Sequence, residues 1–227
     1  MADTGIIFKS TITDQHREIL LDHPKIKFLT KNYNIHFPTY TFIYPDKTKT
    51  HFDKTVLNFL SSINIDYSDK IVEYWFQNHD EGSELQPHCD HNCILINDYL
   101  RRGILNGKWL HSLPKEICTS PLTLVTYLEI SDDMLGGELL ISQRSWVDEE
   151  DPLNKSVDYL SNYPFETVNP VQNDVIAFKG SWYYHWIAPI KRGRRKSMII
   201  NFWPAELTNL QYFNEYNKQD YDYSFDT

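Results

Sequence analysis

The sequence predicts a mainly β protein with flanking helices (α+β), built as an antiparallel barrel or sandwich. Three observations carry this expectation. From about residue 70 the chain is punctuated by short runs of strong β formers. Turn-forming residues separate those runs. No regular helical pattern is interposed between them, so the strands are not expected to be joined by parallel crossovers.

The helical patterns come first. Residues 11–22, TITDQHREILLD, fit a short amphipathic helix. Residues 52–63, FDKTVLNFLSSI, place Val56, Phe59, Leu60 and Ile63 on one face, with Asp53 expected to cap the start. The strands follow: IVEYWFQ (71–77), LTLVTYLEI (122–130), ELLIS (138–142), NDVIAF (173–178) and SMIINFW (197–203), the last ended by Pro204. Gly136 and Gly137 are expected to turn the chain before ELLIS, because glycine tolerates positive φ. Residues 91–120 and 143–170 are long for hairpin connections and read as insertions beside a site. The chain is therefore expected to be one domain, 1–227: a mixed helical support (1–69), a β core (70–204) holding both insertions, and an acidic, tyrosine-rich tail (205–227).

Composition narrows the function. The 227 residues carry a net charge of −9, which disfavours a nucleic-acid partner. KRGRRK (191–196) is a local exception, and Lys191, Arg192 and Lys196 in it read as a solvated basic turn. Three cysteines, Cys89, Cys93 and Cys118, make no CxxC pair and suggest no disulfide framework. The start lacks the pattern of a signal peptide, and no window approaches a membrane span. A cytoplasmic protein with no membrane partner is expected.

The chemistry is concentrated in QPHCDHN, residues 86–92. In a strand, side chains at i and i+2 share a face. His88 and Asp90 can therefore meet on one metal, while Cys89 and His91 point away. His185, in GSWYYHWIAPIKRGRRKS, is the best third ligand, placed between two β-like segments. Two histidines and a carboxylate form the facial triad of non-haem Fe(II) sites, which keeps coordination positions open. Arg195 lies ten residues after His185, and Ser197 shares its strand parity. An arginine there suits a carboxylate gripped by paired hydrogen bonds. Arg194 has the opposite parity, so one of the two arginines faces inward.

These motifs together resemble the Fe(II)- and 2-oxoglutarate-dependent dioxygenases, in particular their prolyl-hydroxylase-like branch. The resemblance spans roughly residues 70–204 and rests on PHCD (87–90), TYLE (126–129), GGELL (136–140), NPVQNDVIAF (169–178) and HWIAPIKRGRRKS (185–197) in that order. It implies a double-stranded β-helix (a cupin-like jelly roll) with His88, Asp90 and His185 as iron ligands. It assigns Arg195 to the distal carboxylate of 2-oxoglutarate, with Tyr127 beside it and Arg194 as the alternative by one residue. Fe(II), 2-oxoglutarate and O₂ are the implied cofactor and co-substrates, with ascorbate as a reductant. The implied reaction is hydroxylation of an unactivated C–H, on a prolyl-type residue of a peptide or protein or on an amino-acid-like small molecule. A non-catalytic β-sandwich binding module is the competing class. The intact Asp90 favours hydroxylation over halogenation. One departure stands out. Relatives place Tyr–x–x–Gly before the HxD motif, whereas EYWFQNHDEGSELQPHCD offers only Tyr74, Trp75 and Gln77 as loose equivalents.

Overall fold

The computed structural model describes residues 5–22, 41–45, 47, 49–90, 120, 122–145 and 156–205. In these, twelve strands and three helices follow one another as β1 (Ile6–Thr11), α1 (Asp14–Leu21), β2 (Thr41–Ile43), α2 (His51–Ser62), β3 (Lys70–His79), β4 (Leu85–His88), β5 (Thr123–Ile130), β6 (Leu135–Gly136), β7 (Leu139–Ser145), α3 (Val157–Leu160), β8 (Phe165–Val168), β9 (Asp174–Phe178), β10 (Tyr183–Ile187), β11 (Ile190–Arg192) and β12 (Arg195–Pro204). Every pairing among them is antiparallel.

A six-stranded sheet runs β1-β9-β5-β12-β3-β2, and a four-stranded sheet runs β4-β10-β7-β8. A further pair, β11 with β6, closes one end. Antiparallel strands of period 2 bury one side chain in two on each face. In β12 this sends Met198, Ile200 and Phe202 into a core shared with Leu20 of α1 and Val56, Phe59 and Leu60 of α2. Ile199 instead joins Trp75, Val125, Tyr127, Ile176 and Phe178 of the large sheet against Leu139, Ile141 and Val168 of the small one. The two sheets thus face each other across an inner core; α1 and α2 cover the outer face of the large sheet, while Leu160 of α3 packs against Tyr184 and Trp186 of the small one. This is a double-stranded β-helix.

Several sequence expectations shift at the level of elements. Helix α2 starts one residue early, because Thr50 is the N-cap and Asp53 closes a capping box at the third helical position instead of capping it. The strand ending the core includes Pro204, which pairs with Lys70 at the sheet's end. Part of the expected insertion 143–170 belongs to the core, since β8 is the outermost strand of the small sheet. Residues 146–155, nearly all of 91–120 and the tail from residue 206 lie outside the described residues, as do His91, Cys93 and Cys118. Gly136 and Gly137 adopt φ of 84° and 74°. A Cβ on Gly136 would meet the Pro189 carbonyl oxygen at 2.2 Å, so that turn demands glycine.

Candidate metal centre

The small sheet supplies the three ligating side chains. β10 lies between β4 and β7, and His185 on β10 stands directly opposite His88 at the end of β4. Asp90 follows two residues beyond His88, past the strand's end, where its amide donates to the Gly180 carbonyl at 3.0 Å. That bond fastens the segment after β4 to the turn before β10. Ligand atoms of His88, Asp90 and His185 all lie within 4.8 Å of one another. Asp90 Oδ1 is 3.6 Å from His88 Nε2, and its Oδ2 is 3.7 Å from His185 Nε2. Cys89 turns the other way, against the cluster of Leu160, Tyr184 and Trp186 on the outer face of the small sheet. Burial, with the Asp90 carboxylate nearby, pushes its thiol well up.

Both imidazoles are held in the orientation a metal requires. His88 Nδ1 lies 2.9 Å from the Gln86 carbonyl and His185 Nδ1 lies 3.2 Å from that of Tyr183. Each carbonyl can accept a hydrogen bond from Nδ1–H, leaving a lone pair on Nε2 aimed at the centre. The exposure of the three is graded: the His88 side chain is 36% exposed, Asp90 10% and His185 6%. The centre opens on the His88 side and is closed behind His185, whose ring packs edge-on to Phe178 at 5.0 Å between centroids.

A second polar group sits on the inner face of the large sheet. Arg195, 1% exposed, donates from one terminal guanidinium nitrogen to the Gly137 carbonyl at 2.7 Å. Its Cζ lies 5.4 Å from the centre of the Tyr127 ring. Tyr127 and Ser197 are opposite one another in the β5–β12 pairing. The Tyr127 hydroxyl, the Ser197 hydroxyl and Arg195 Nε are all buried without a hydrogen-bond partner. Burial pushes the Tyr127 phenol up, partly offset by the guanidinium; burial pushes Arg195 down, partly offset by Tyr127. Three unsatisfied polar groups converging on one buried patch are costly unless something completes them. Arg194 is on the opposite face, half exposed, and pairs with Glu129 at 3.3 Å. Lys196 pairs with the same carboxylate at 2.9 Å, so much of the basic run is neutralised locally.

The donor set fits a divalent metal such as iron: two imidazoles and one carboxylate whose ligand atoms lie close together. The patch around Arg195 fits a carboxylate, supplying one fixed cation and two hydroxyls with unfilled bonding capacity. A small dianionic co-substrate that chelates a metal at one end matches this pair of features.

Four residues at the centre were not singled out by the sequence. Thr123 donates to Asp90 Oδ2 at 2.9 Å, and Asn201 lies 2.7 Å from Thr123. Glu73 accepts from the Trp203 indole at 2.7 Å. Ser181 donates to the Asp90 carbonyl and accepts from the Ser120 amide. Gly180 leaves the space they need, since a Cβ there would stand 2.4 Å from Thr123 Oγ1 and 2.6 Å from Asp90 Oδ2. A signal for two of them existed. Glu73 and Asn201 are polar residues inside the apolar strands IVEYWF and IINFW, on the inward parity. Of the loose tyrosine equivalents, Tyr74 faces the helices and Trp75 the inner core. Gln77 pairs opposite Ser197.

No family model matches the chain, and no curated protein matches it by sequence. Solved structures do match. HygX from Streptomyces hygroscopicus, with nickel and 2-oxoglutarate bound, aligns with a TM-score of 0.52 at 15% identity, over 88% of this chain and 83% of that one. The 2-oxoglutarate complex of the viral collagen prolyl hydroxylase from Paramecium Bursaria Chlorella virus-1 aligns at 0.47 and 16% identity, over 86% of this chain and 94% of that one. A Pseudomonas putida prolyl-4-hydroxylase aligns at 0.47 and 13% identity, over 89% and 90%. The likeness to HygX shows the fold. No helix among the described residues is long and apolar enough to cross a membrane.

Proposed function

We propose that this protein is an Fe(II)- and 2-oxoglutarate-dependent oxygenase that hydroxylates an unactivated C–H, on a prolyl-type residue of a peptide or protein. The observation that carries the class is the convergence of His88, Asp90 and His185 to within 4.8 Å, in a fold whose inner face also buries an uncompleted Arg195–Tyr127–Ser197 patch. The prolyl-type substrate is supported by the order of motifs from PHCD to HWIAPIKRGRRKS.

When bound, iron and 2-oxoglutarate supply the oxidising chemistry: one O₂ is consumed, 2-oxoglutarate leaves as succinate and CO₂, and the substrate C–H becomes C–OH. The protein's own residues bind, orient and exclude water. His88, Asp90 and His185 hold the metal, with the two imidazoles fixed by the Gln86 and Tyr183 carbonyls. Arg195 holds the distal carboxylate of 2-oxoglutarate, aided by the Tyr127 and Ser197 hydroxyls. Burial of this patch strengthens each charge-assisted bond by excluding water. The more exposed His88 side is the face from which substrate reaches the metal.

The test is succinate formation by the anaerobically purified protein given Fe(II), 2-oxoglutarate and air, with ascorbate as reductant. Proline-containing peptide mixtures should stimulate succinate release more than free amino acids do. Stimulation by free amino acids alone would replace the peptide substrate with a small molecule. Absence of succinate with either mixture would leave a binding module as the better reading.

A further inference from the structure

Behind the metal carboxylate runs a chain of buried polar side chains from the large sheet: Trp203, Glu73, Asn201 and Thr123, ending on Asp90. Trp203 Nε1 donates to Glu73 at 2.7 Å. The Asn201 amide stands directly opposite Glu73 across the β3–β12 pair, close enough to act on its carboxyl. Asn201 lies 2.7 Å from Thr123 Oγ1, which is 2.9 Å from Asp90 Oδ2. Glu73 and Asn201 are opposite one another in β3–β12, and Asn201 is opposite Thr123 in β12–β5, so three adjacent strands build the chain at one level.

Proton bookkeeping gives this chain a direction. The Thr123 hydroxyl has one proton and cannot donate both to Asp90 and to a carbonyl oxygen of Asn201. The two ends of the Asn201 amide are isosteric, and both contacts are satisfied with its nitrogen toward Thr123. Asn201 then donates to Thr123, Thr123 donates to Asp90, and the Asn201 oxygen faces Glu73. A carboxylate cannot donate to that oxygen, but a protonated carboxyl can. Burial raises the Glu73 carboxyl to about 8, opposed by the bond from the Trp203 indole and reinforced by the charge of Asp90. Neutral glutamic acid therefore accepts from Trp203 and donates to Asn201.

We infer that Glu73 is a positioning residue for the metal carboxylate: through Asn201 it directs the Thr123 hydroxyl onto Asp90 Oδ2 and leaves Oδ1 as the ligating oxygen. The inference rests on the proposed metal site and adds to it a remote residue on a different sheet. Hydrogen bonding of the second oxygen restrains a ligating carboxylate and sets its denticity. Gly180 belongs to the same arrangement, because its missing side chain is what admits Thr123 and Asp90 to one another.

The test titrates the chelator-stripped protein with Co(II) alone, by calorimetry and by the visible ligand-field spectrum. Glu73→Gln offers the same acceptor and donor as the neutral acid, so it should bind Co(II) within about threefold of wild type with a superimposable spectrum. Glu73→Leu and Thr123→Val should each weaken binding roughly tenfold or more and alter the spectrum. Their double variant should be little worse than either single one, because they break one chain. Asn201→Leu breaks the chain midway and gives the same readout if Glu73→Leu does not fold. Wild-type affinity and spectrum in Glu73→Leu or Asn201→Leu would overturn the inference, as would Glu73→Gln matching Glu73→Leu. A wild-type protein that does not bind Co(II) would instead overturn the metal site itself.

Discussion

Replacing Glu73 by glutamine should stabilise the metal-free protein by an amount that grows with pH. The Glu73 carboxyl titrates near 8 in the folded chain against an ordinary value of 4.5. Between those values the folded state holds a proton that the unfolded state has released. Stability therefore falls as pH rises: the contribution is fully present below 4.5, is lost progressively up to about 8, and is flat beyond. One pH unit corresponds to about 1.4 kcal/mol. From pH 5.5 to 7.5 the wild type should lose about 2.5 kcal/mol on account of this one group. Glu73→Gln has no proton to lose and keeps the acceptor for Trp203. The other titrating groups are common to both proteins and cancel in the difference. Urea unfolding in the presence of chelator, at half-unit pH steps, measures it. With an m value of about 2–3 kcal/mol/M, the gap between the two midpoints should widen by about 1 M across the range. A gap that stays constant with pH would show that Glu73 is already ionised in the folded protein. That result would remove the proton on which the direction of the Asn201–Thr123 chain depends.

Other outcomes follow from the site's geometry. Alanine at His88, Asp90 or His185 should each lower Fe(II) affinity at least about 100-fold and abolish succinate formation; a variant that keeps both is not a ligand. Arg195→Ala should raise the dissociation constant for 2-oxoglutarate about 30- to 100-fold, the cost of a buried charge-assisted bond, while Arg194→Ala should leave it unchanged. The opposite pattern would move the anion site to the other face of β12. Gly180→Ala should weaken metal binding about tenfold or more, because its Cβ would stand 2.4 Å from Thr123 Oγ1. A near-wild-type Co(II) titration of that variant would mean that Thr123 and Asp90 can separate without consequence.

Strand parity carried much of the site from sequence to structure. It separated Asp90 and His88 from Cys89, and Arg195 from Arg194, because alternation is a local property of the backbone. The β12 strand could be read in detail for the same reason: its apolar and polar residues alternate between two different cores. What parity does not encode is which strands lie side by side. β8 was hidden in an apparent insertion because FETV has only one buried apolar residue and lies at the sheet's edge. LQPH is short and contains proline, so only the parity of His88 and Asp90 points to β4 there; Pro87 is tolerated because β4 is an edge strand of the small sheet. The chain from Glu73 to Asp90 needs the side-by-side order of β3, β12 and β5, so no single segment reveals it. An acidic residue within IVEYWF was nevertheless a legible anomaly, since a charge in an apolar strand needs a partner or a proton.

The central claim is that one end of 2-oxoglutarate meets a metal held by His88, Asp90 and His185 while the other end meets Arg195. Anaerobic titration of the Fe(II)-loaded protein with 2-oxoglutarate tests it directly, since chelation of Fe(II) by a 2-oxo acid produces a visible charge-transfer absorption. The band should rise and saturate at one equivalent in the wild type, require far more 2-oxoglutarate in Arg195→Ala, and be absent in His185→Ala. A wild-type protein that binds Fe(II) but develops no band, or an Arg195→Ala protein that titrates like wild type, would contradict the account.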